Sequence, residues 1–391
     1  MHRTAIRSVI AAGMVLSAGA ALTACSSSSP SGDSTSSAAI GTDLSGVCPA
    51  TVTVQTDWNP EADHGHLYEL VGPNPSIDAS KKSVTGDLYS KGKPTGIKIE
   101  VRAGGPAIGF QTVSSQLYKD KDITLAYIST DEAVQFSDKL PTTAVFAEND
   151  ISPQMIMWDP ATYPDVKTIA DLATSLKPGG TVRYFNGAAY MSYLQGSGIL
   201  PEADTDGSYD GTPAKFAADK GISGQQGFAT AEPYIYEHEV PAWNKPVDFQ
   251  LINDTGYPIY PEAISVRTGD LDKLSPCLEK LVPVLQQADV DYLKSPAETN
   301  KLVIDLVNAY NNGWVYDEKI ADYAVKEMKK LKIASDGDNG YVGDMDEARI
   351  AKIIELDTPI FTSTGDAPKA GLKPSDLFTN QFLDKSISLG F

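Results

Sequence analysis

The chain has 391 residues, with 51 acidic and 32 basic side chains and a formal net charge of −19. This length fits two lobes of ordinary size, and a hydrophobic content of 41% supports a real core, which excludes a wholly disordered protein. The acid excess argues against nucleic acid as a partner, because phosphate binding needs clustered Lys and Arg. With four His and three Cys, the sequence is not a disulfide-rich scaffold and does not favour a large metal centre.

The N-terminus has the pattern of a secretory signal over residues 1–24. Arg3 and Arg7 precede a mostly apolar run over 8–22 that is too short for a comfortable membrane span. The segment ends in Leu-Thr-Ala-Cys, which resembles the bacterial lipobox. This resemblance implies that Cys25 carries the lipid, palmitate included, and becomes the first residue of the mature chain. An ordinary signal peptide with an incidental Cys is the alternative.

Residues 25–47 are rich in Ser and predict a flexible tether. No later stretch of the sequence is long and apolar enough to span a bilayer, so we expect an extracytoplasmic protein, held to the outer face of the cell membrane through its lipid anchor only. Cys48 and Cys277 remain in the folded part, and two distant Cys in an oxidising compartment predict a disulfide. Two separate buried thiols are the alternative.

Strand and helix patterns alternate along the first part of the folded chain. The predicted strands cover 51–56, 97–101, 123–128, 143–146, 156–158, 182–185, 227–231, 249–252 and 263–266. Predicted helices between them cover 109–118, 131–137, 171–176 and 188–194, and from Leu271 onward the chain is helical, with apolar faces over 297–310, 320–331 and 347–356. This order predicts an α/β protein with βαβ units and a mostly parallel sheet. Ligands of such sheets bind beyond the carboxyl ends of the strands.

The order of the elements also predicts two lobes with two crossovers between them. If the helical tail packs back on the first part, the chain crosses near 150–159 and again near 257–268. Lobe 1 then consists of residues 48–150 and 268–391, and lobe 2 of residues 151–267. A double crossing of this kind provides a hinge.

A run of residues after the first predicted strand resembles a known family. Asp57-Trp58-Asn59-Pro60 is followed by His64 and Tyr68, and binding proteins for thiamine-pyrimidine precursors have a similar Asp-Trp-x-Pro-x-x-x-His-x-x-x-Tyr run. Further similarity lies in GFATAEP at 227–233 and in Tyr-Pro at 260–261. The chain departs from the family at GPNP (72–75), in an extra stretch up to residue 93 and in an apparent insertion at 204–224.

Taken with the lipobox, the tether and the helical tail, these residues resemble a type II substrate-binding protein of an ABC importer. The closer resemblance is to the nitrate, sulfonate-taurine and thiamine-pyrimidine group. It implies a type II periplasmic-binding-protein fold and a monomer without a cofactor. It also implies a small-molecule ligand captured between the lobes and delivered to permease and ATPase subunits.

The candidate ligand-binding residues follow strand ends or open helices, where they would face the cleft. They are Asp57, Trp58, Asn59, His64, Tyr68, Gly105, Tyr127, Ser129, Phe185, Asn186, Tyr190, Glu232 and Tyr234. An indole stacks on a planar ring, and a carboxylate accepts hydrogen bonds from the amino group of a heterocycle. The alternatives are a Trp that caps the core, Asp or Asn that cap a helix, glycines of a tight turn and a solvated Glu.

The sequence also bears on two other kinds of site, a metal site and an enzyme active site. His64 and His66 form an H-x-H pair near Glu61 and Asp63, but the spacing supplies no complete ligand set, so we predict no metal site. A hydrolase of the nucleophile-elbow type would carry G-x-S-x-G, which is absent from the sequence. Pyrimidine-precursor synthases share the expected fold but use a Cys-rich iron motif that this sequence lacks. We therefore predict a binding protein rather than an enzyme.

The predicted ligand is a planar nitrogen heterocycle such as a thiamine-type pyrimidine, because the candidate residues include several aromatic side chains. Nitrate, a sulfonate or an aromatic carboxylate is the alternative, since Arg102 and Arg183 lie near strand ends and Arg binds oxyanions. A synthase-like enzyme remains the alternative of another class, beside a ligand sensor or an adhesion lipoprotein.

Overall fold

The computed structural model describes residues 41–391, so the predicted signal, Cys25 and the tether up to residue 40 lie outside the described residues. The strands are β1 (Thr51–Gln55), β2 (Ser76–Asp78), β3 (Ser83–Ser90), β4 (Lys93–Arg102), β5 (Leu125–Ile128), β6 (Thr142–Ala147), β7 (Gln154–Trp158), β8 (Val182–Arg183), β9 (Thr205–Asp206), β10 (Gly224–Phe228), β11 (Asp248–Leu251) and β12 (Ala263–Arg267). The α-helices are α1 (Gly65–Glu69), α2 (Val113–Lys119), α3 (Thr130–Gln135), α4 (Ile169–Ser175), α5 (Ala189–Gly196), α6 (Ala214–Ala218), α7 (Glu232–His238), α8 (Leu271–Lys294), α9 (Ala297–Tyr310), α10 (Glu318–Lys330) and α11 (Glu347–Thr364).

The strands form two sheets. The first has seven strands in the order β2-β3-β4-β1-β5-β12-β6, and the second has five in the order β11-β7-β10-β8-β9. β1 lies in the middle of the first sheet because its β-branched residues are buried on both faces. The chain passes from the first sheet to the second between Ala147 and Gln154, and it returns between Leu251 and Ala263. The predicted two-lobed α/β fold with two crossovers and a helical C-terminal part is confirmed.

The prediction of a mostly parallel sheet is wrong. In the first sheet β1 is parallel to β4 and β5, while the other pairs are antiparallel. In the second sheet β10 is parallel to β8 and antiparallel to β7. Two causes account for the difference: β3 and β4 form a hairpin, and β12 enters the first sheet from the second and so runs against its neighbours.

Several element boundaries also differ from the expectations. The strand expected at 227–231 is β10, which ends at Phe228, because the chain then turns into α7, where Pro233 occupies the first helical turn. The hairpin of β2 and β3 lies in the stretch that departs from the resembling family. Helix α9 has the predicted bounds, and α11 continues to Thr364.

The long helices close the core of the first sheet. α8 packs on α1 and β6, and its buried face includes Cys277, Leu281 and Tyr292. Cys48, just before β1, forms a disulfide with Cys277, with the two Cα atoms 4.6 Å apart. Helix α11 contacts both α3 and α5, so it packs on elements from either side of the crossovers. Among the helices of residues 41–391, none combines the length and the apolar character needed to cross a membrane.

Arg349, in the first turn of α11, joins the two crossover segments. Its Nη1 donates to Asp150 Oδ1 at 2.8 Å, and its Nη2 donates to the backbone carbonyl of the same residue. Its Nε donates to the Pro258 carbonyl at 2.6 Å, and Nη2 also donates to the Ile259 carbonyl at 2.8 Å. The guanidinium lies 3.6 Å from the centre of the Tyr260 ring. One cation therefore holds the outgoing and the returning chain together.

Candidate functional site

Two adjoining cavities lie where the loop after β1 meets the turn after β10 and the segment before β12. Each has a volume of about 240 Å³, and they share Asp57, Gln154, Phe228 and Glu262 in their walls. We call the two cavities together the cleft. It lies beyond the carboxyl end of β1, where the connectivity of an α/β sheet places a ligand.

Aromatic side chains from both sides of the crossovers form the walls of the cleft. Trp58 and Trp314 meet edge to face, with ring centres 6.2 Å apart and an angle of 89° between the planes. On the side of the second sheet, the rings of Phe185 and Tyr209 lie 4.8 Å apart. Flat apolar faces on opposite walls suit a planar ligand.

Trp58 is held in place by the glycines that follow β4. The Gly104 amide donates to the Trp58 carbonyl, and the Gly105 amide donates to the Asp57 carbonyl, both at 2.8 Å. Gly105 has φ +52, and a Cβ atom there would lie 2.6 Å from Trp58 Cε3. Gly105 therefore supports the indole by close approach and does not line the cleft.

The charged side chains that line the cleft are all acidic within residues 41–391. Asp57, Glu61, Glu232 and Glu262 line one cavity, and Asp131 lines the other. Burial raises the pKa of Glu61 and Glu262 well above the usual range, and neighbouring carboxylates raise it further. Burial also raises the pKa of Glu232 to about 7. The oxygens of these side chains can accept hydrogen bonds from amino groups, and within residues 41–391 no Lys or Arg lines the cleft to bind an anion.

Arg102 and Arg183, the two residues for which an oxyanion ligand was kept as an alternative, pair with acidic side chains away from the cleft. Arg102 donates to Asp120 at 2.7 Å and to Glu100 at 2.9 Å. Arg183 donates to Asp219 at 2.6 Å. Neither residue lines the cleft.

His64 lies at the floor of the cleft among three carboxylates. Its Nε2 is 3.0 Å from Asp57 Oδ1 and 3.9 Å from both Glu61 Oε1 and Glu262 Oε1. Its side chain is fully buried, which disfavours the charged form, but the surrounding carboxylates, Asp57 first, raise the pKa of His64 above its ordinary value. Asp57, His64 and Glu262 each present an atom within 4.8 Å of the others, a spacing at which they could share a metal ion.

A second layer of buried polar groups lies beneath His64. The Tyr127 hydroxyl donates to Glu148, which also contacts His66 Nδ1. Burial lowers the pKa of His66 to about 3 and raises the pKa of Asp289 to about 8. Tyr127 is thus a buried member of this layer and does not reach the cleft.

The structure brings part of the predicted set to the cleft. The residues that line it are Asp57, Trp58, Ser129, Phe185, Tyr190 and Glu232. Tyr190 donates from its hydroxyl to Gln226 at 2.8 Å, and Glu232 accepts from the Phe228 amide at 2.7 Å. These two bonds fix side chains of the second sheet against the cavity.

The other predicted residues lie outside the walls of the cleft. Asn59 is buried and accepts a hydrogen bond from Asn312 at 2.6 Å. Tyr68 packs in the core of the first sheet, and Asn186 is exposed. Tyr234 packs against Tyr323 of α10, with ring centres 5.5 Å apart. His64, Gly105 and Tyr127 support the walls and floor as described above.

Sequence reasoning missed several residues of the cleft. They are Glu61, Asp131, Gln154, Tyr209, Gln226, Phe228, Glu262 and Trp314. Glu262 comes from the returning crossover and Trp314 from the loop after α9, so both are distant in sequence from the motif around Trp58. Trp314 could have been found from the sequence, because it is one of only four Trp and follows Asn-Asn-Gly, a pattern typical of a loop.

Comparison with known proteins supports the fold. No family model matches the chain, and no curated protein matches it in sequence. Among solved structures, the periplasmic aliphatic sulphonate-binding protein SsuA of Escherichia coli is 13% identical with a TM-score of 0.51, covering 82% of this chain and 90% of its own. The alkanesulfonate-binding protein SsuA of Xanthomonas axonopodis pv. citri, bound to MOPS, is 11% identical with a TM-score of 0.51, covering 85% of this chain and 99% of its own.

A third similar structure is a putative periplasmic sulfonate-binding protein of Methylobacillus flagellatus, with 13% identity, a TM-score of 0.53 and coverage of 85% of this chain and 92% of its own. The three likenesses establish that this chain has the fold of periplasmic binding proteins. At these identities the fold does not carry the ligand with it.

Proposed function

We propose that the chain is the solute-binding component of an ABC-type importer. It captures a planar nitrogen heterocycle that carries an amino group, such as a thiamine-type pyrimidine, and delivers it to permease and ATPase subunits. In this proposal lobe 1 is residues 48–150 and 268–391, lobe 2 is residues 151–267, and the protein acts without turnover. It acts as a monomer outside the cytoplasm, tethered to the membrane through a lipid on Cys25.

The observation that carries the proposal is the composition of the cleft. Trp58 and Trp314 face the cavity from one side of the crossovers and Phe185 from the other, while carboxylates lie between them. Base stacking on an aromatic side chain contributes about 1–3 kcal/mol per base. An amino group, neutral or protonated, can donate to Glu232, whereas no Lys or Arg lines the cleft within residues 41–391 to hold a sulfonate, nitrate or carboxylate.

The test is a binding screen with purified protein. Thermal unfolding is recorded with aminopyrimidines, thiamine, flavins, alkanesulfonates and aromatic carboxylates, and each compound that raises the midpoint is titrated by calorimetry. A ligand at 100 times its Kd stabilises the protein by about 2.7 kcal/mol. We expect aminopyrimidines to bind without being consumed. Binding by sulfonates alone would contradict the ligand class, and turnover would contradict the binding role.

Trp58→Ala tests the position of the site. Loss of one stacking face predicts an affinity about 5- to 150-fold lower, from about 1–3 kcal/mol. Phe110→Ala is the matched control, because the Phe110 ring is 66% exposed and lies 6.0 Å from the Trp58 ring without lining the cleft. Unchanged affinity in Trp58→Ala would place the ligand elsewhere.

A further inference from the structure

His64 is a buried imidazole without a hydrogen-bond partner, although it lies among polar atoms. Its side chain is fully buried, and within residues 41–391 neither ring nitrogen forms a hydrogen bond. Asp57 Oδ1, 3.0 Å from Nε2, is likewise buried and unpaired, so this close contact does not have hydrogen-bond geometry. Buried polar atoms without partners are rare in folded proteins and indicate that something else satisfies them.

We propose that His64, Asp57 and Glu262 form a binding site for one divalent transition-metal ion, with Glu61 in reach as a further ligand. The site lies in the floor of the cleft. It adjoins the proposed heterocycle site and shares Asp57 and Glu262 with the cleft walls, but its definition rests on protein side chains alone and requires no organic ligand.

The distances between the donor atoms fit this assignment. Ligands held about 2.1 Å from a tetrahedral Zn²⁺ lie roughly 3.4 Å from one another. The distances from His64 Nε2 to the oxygens of Asp57, Glu61 and Glu262 are 3.0, 3.9 and 3.9 Å, on either side of that value. The donor atoms of Asp57, His64 and Glu262 all lie within 4.8 Å of one another, a spacing at which one ion can contact all three.

The types of the donor groups also favour a metal cation. Three acidic side chains surround one imidazole, and the side chains of Glu61 and Glu262 are only 12% and 3% exposed. A divalent ion bound among them would stabilise the carboxylates and the neutral imidazole, which are the forms that coordinate metals.

The residues around the ligands hold them in a defined orientation. Asn149 Nδ2 donates to Glu262 Oε2 at 2.6 Å, so Oε1 remains the oxygen that faces His64. The Gly105 amide donates to the Asp57 carbonyl at 2.8 Å and fixes the backbone of that ligand. Such supporting hydrogen bonds are a regular property of metal sites.

One side of the proposed site opens into the cleft. The Asp57 side chain is 39% exposed, and Asp57 and Glu262 line both cavities. A bound ion would therefore keep a coordination position towards the space between the aromatic walls. An imidazole together with carboxylates suits Zn²⁺ and Co²⁺ better than Mg²⁺ or Ca²⁺, which prefer oxygen ligands alone.

The test uses the full chain without an affinity tag, stripped of metal with a chelator and dialysed. Zn²⁺ is titrated by calorimetry, and Co²⁺ by its visible absorption, with no heterocycle present. We expect one saturable ion per chain, an absorption band typical of tetrahedral or five-coordinate Co²⁺, and weaker binding of Mg²⁺. Absence of saturable binding, or equal binding of Mg²⁺ and Zn²⁺, would overturn the assignment.

Isosteric variants locate the ion. Glu262→Gln and Asp57→Asn should each weaken Zn²⁺ binding at least 10-fold, and His64→Gln should abolish the cobalt band. His238→Gln is the control, because His238 is 46% exposed on α7 and belongs neither to the cleft nor to the cluster. This variant should bind Zn²⁺ and Co²⁺ like the parent.

Two controls keep the test of the metal site independent. One deals with a variant that does not fold, and the other with a wrong prediction of the heterocycle. If His64→Gln does not fold, as judged by circular dichroism, the two carboxylate variants decide the question. If both of them bind Zn²⁺ as tightly as the parent does, the proposed site is wrong. Heterocycle binding is measured separately in the presence of chelator, so its absence leaves the metal result intact.

Discussion

Replacing Arg349 by Met tests whether the first turn of α11 holds the two crossovers together. The side chain donates to Asp150, Pro258 and Ile259, and the side chains of Arg349 and Asp150 are 16% and 24% exposed. A hydrogen bond to a charged group contributes about 1.5–3 kcal/mol. Water can replace part of these bonds at this exposure, so we expect a loss of about 3 kcal/mol in the free energy of unfolding rather than the full sum.

The corresponding fall in melting temperature is small because the protein is large. Unfolding entropy of about 2.1 cal/mol/K per residue over roughly 350 residues converts 3 kcal/mol into about 4 °C. Chemical denaturation with matched m-values is therefore the more sensitive assay. Lys352→Met is the control, since Lys352 lies on the same helix and forms a single surface pair with Glu355 at 3.2 Å.

The control should change stability by less than about 0.5 kcal/mol. A double-mutant cycle of Arg349→Met with Asp150→Asn should give a coupling energy of about 1 kcal/mol or more, because the two side chains share a direct contact. If Arg349→Met were as stable as the parent, or if the cycle showed no coupling, the contacts of Arg349 would be incidental to the hinge.

Two further predictions concern stability. Replacing Cys48 and Cys277 together by Ser should lower the free energy of unfolding by about 5 kcal/mol in the loop-entropy model, because the bridge closes a sequence separation of 229; equal denaturation midpoints for the oxidised parent and the variant would contradict this. Burial raises the pKa of Glu232 from 4.5 to about 7, so the native state holds a proton that the unfolded chain releases, and stability falls as pH rises through that window. The free energy of unfolding of Glu232→Gln minus that of the parent should therefore be more favourable to the variant at pH 8 than at pH 4. If denaturant melts give the same difference at both pH values, Glu232 does not titrate in this way.

Local sequence patterns predicted most of the secondary structure and the first part of the site. The alternation in TVTVQT identifies β1, and the apolar spacing over 297–310 matches α9 within its observed bounds. Trp58 and Asp57 were predicted to line the cleft because a residue that directly follows a central strand lies at its carboxyl end. Such patterns depend on neighbours in sequence, and the sequence shows those directly.

The parts that were missed depend on contacts between distant segments. Glu262 and Trp314 reach the cleft only when the returning crossover and the loop after α9 pack against the loop after β1, and no periodicity encodes that packing. The β3–β4 hairpin turns at Lys91 and Gly92, whose φ angles of 51 and 70 are typical of a two-residue turn between antiparallel strands, and the Gly at this position was its local signal in the sequence. The prediction of no metal site did not consider Glu262 for the same reason, since it was made from the spacing of His64 and His66 without a residue from another segment.

The place of β12 in the first sheet affects the order in which the protein can fold. β12 fills the gap between β5 and β6, yet it is synthesised after every strand of the second sheet. A growing chain therefore carries the first sheet in two unfinished parts, with open strand edges, while β7 to β11 emerge as one uninterrupted block. We therefore expect the second sheet to be complete before the first. Until β12 and the helix that carries Cys277 are synthesised, the open edges of the first sheet remain exposed to pairing with other chains.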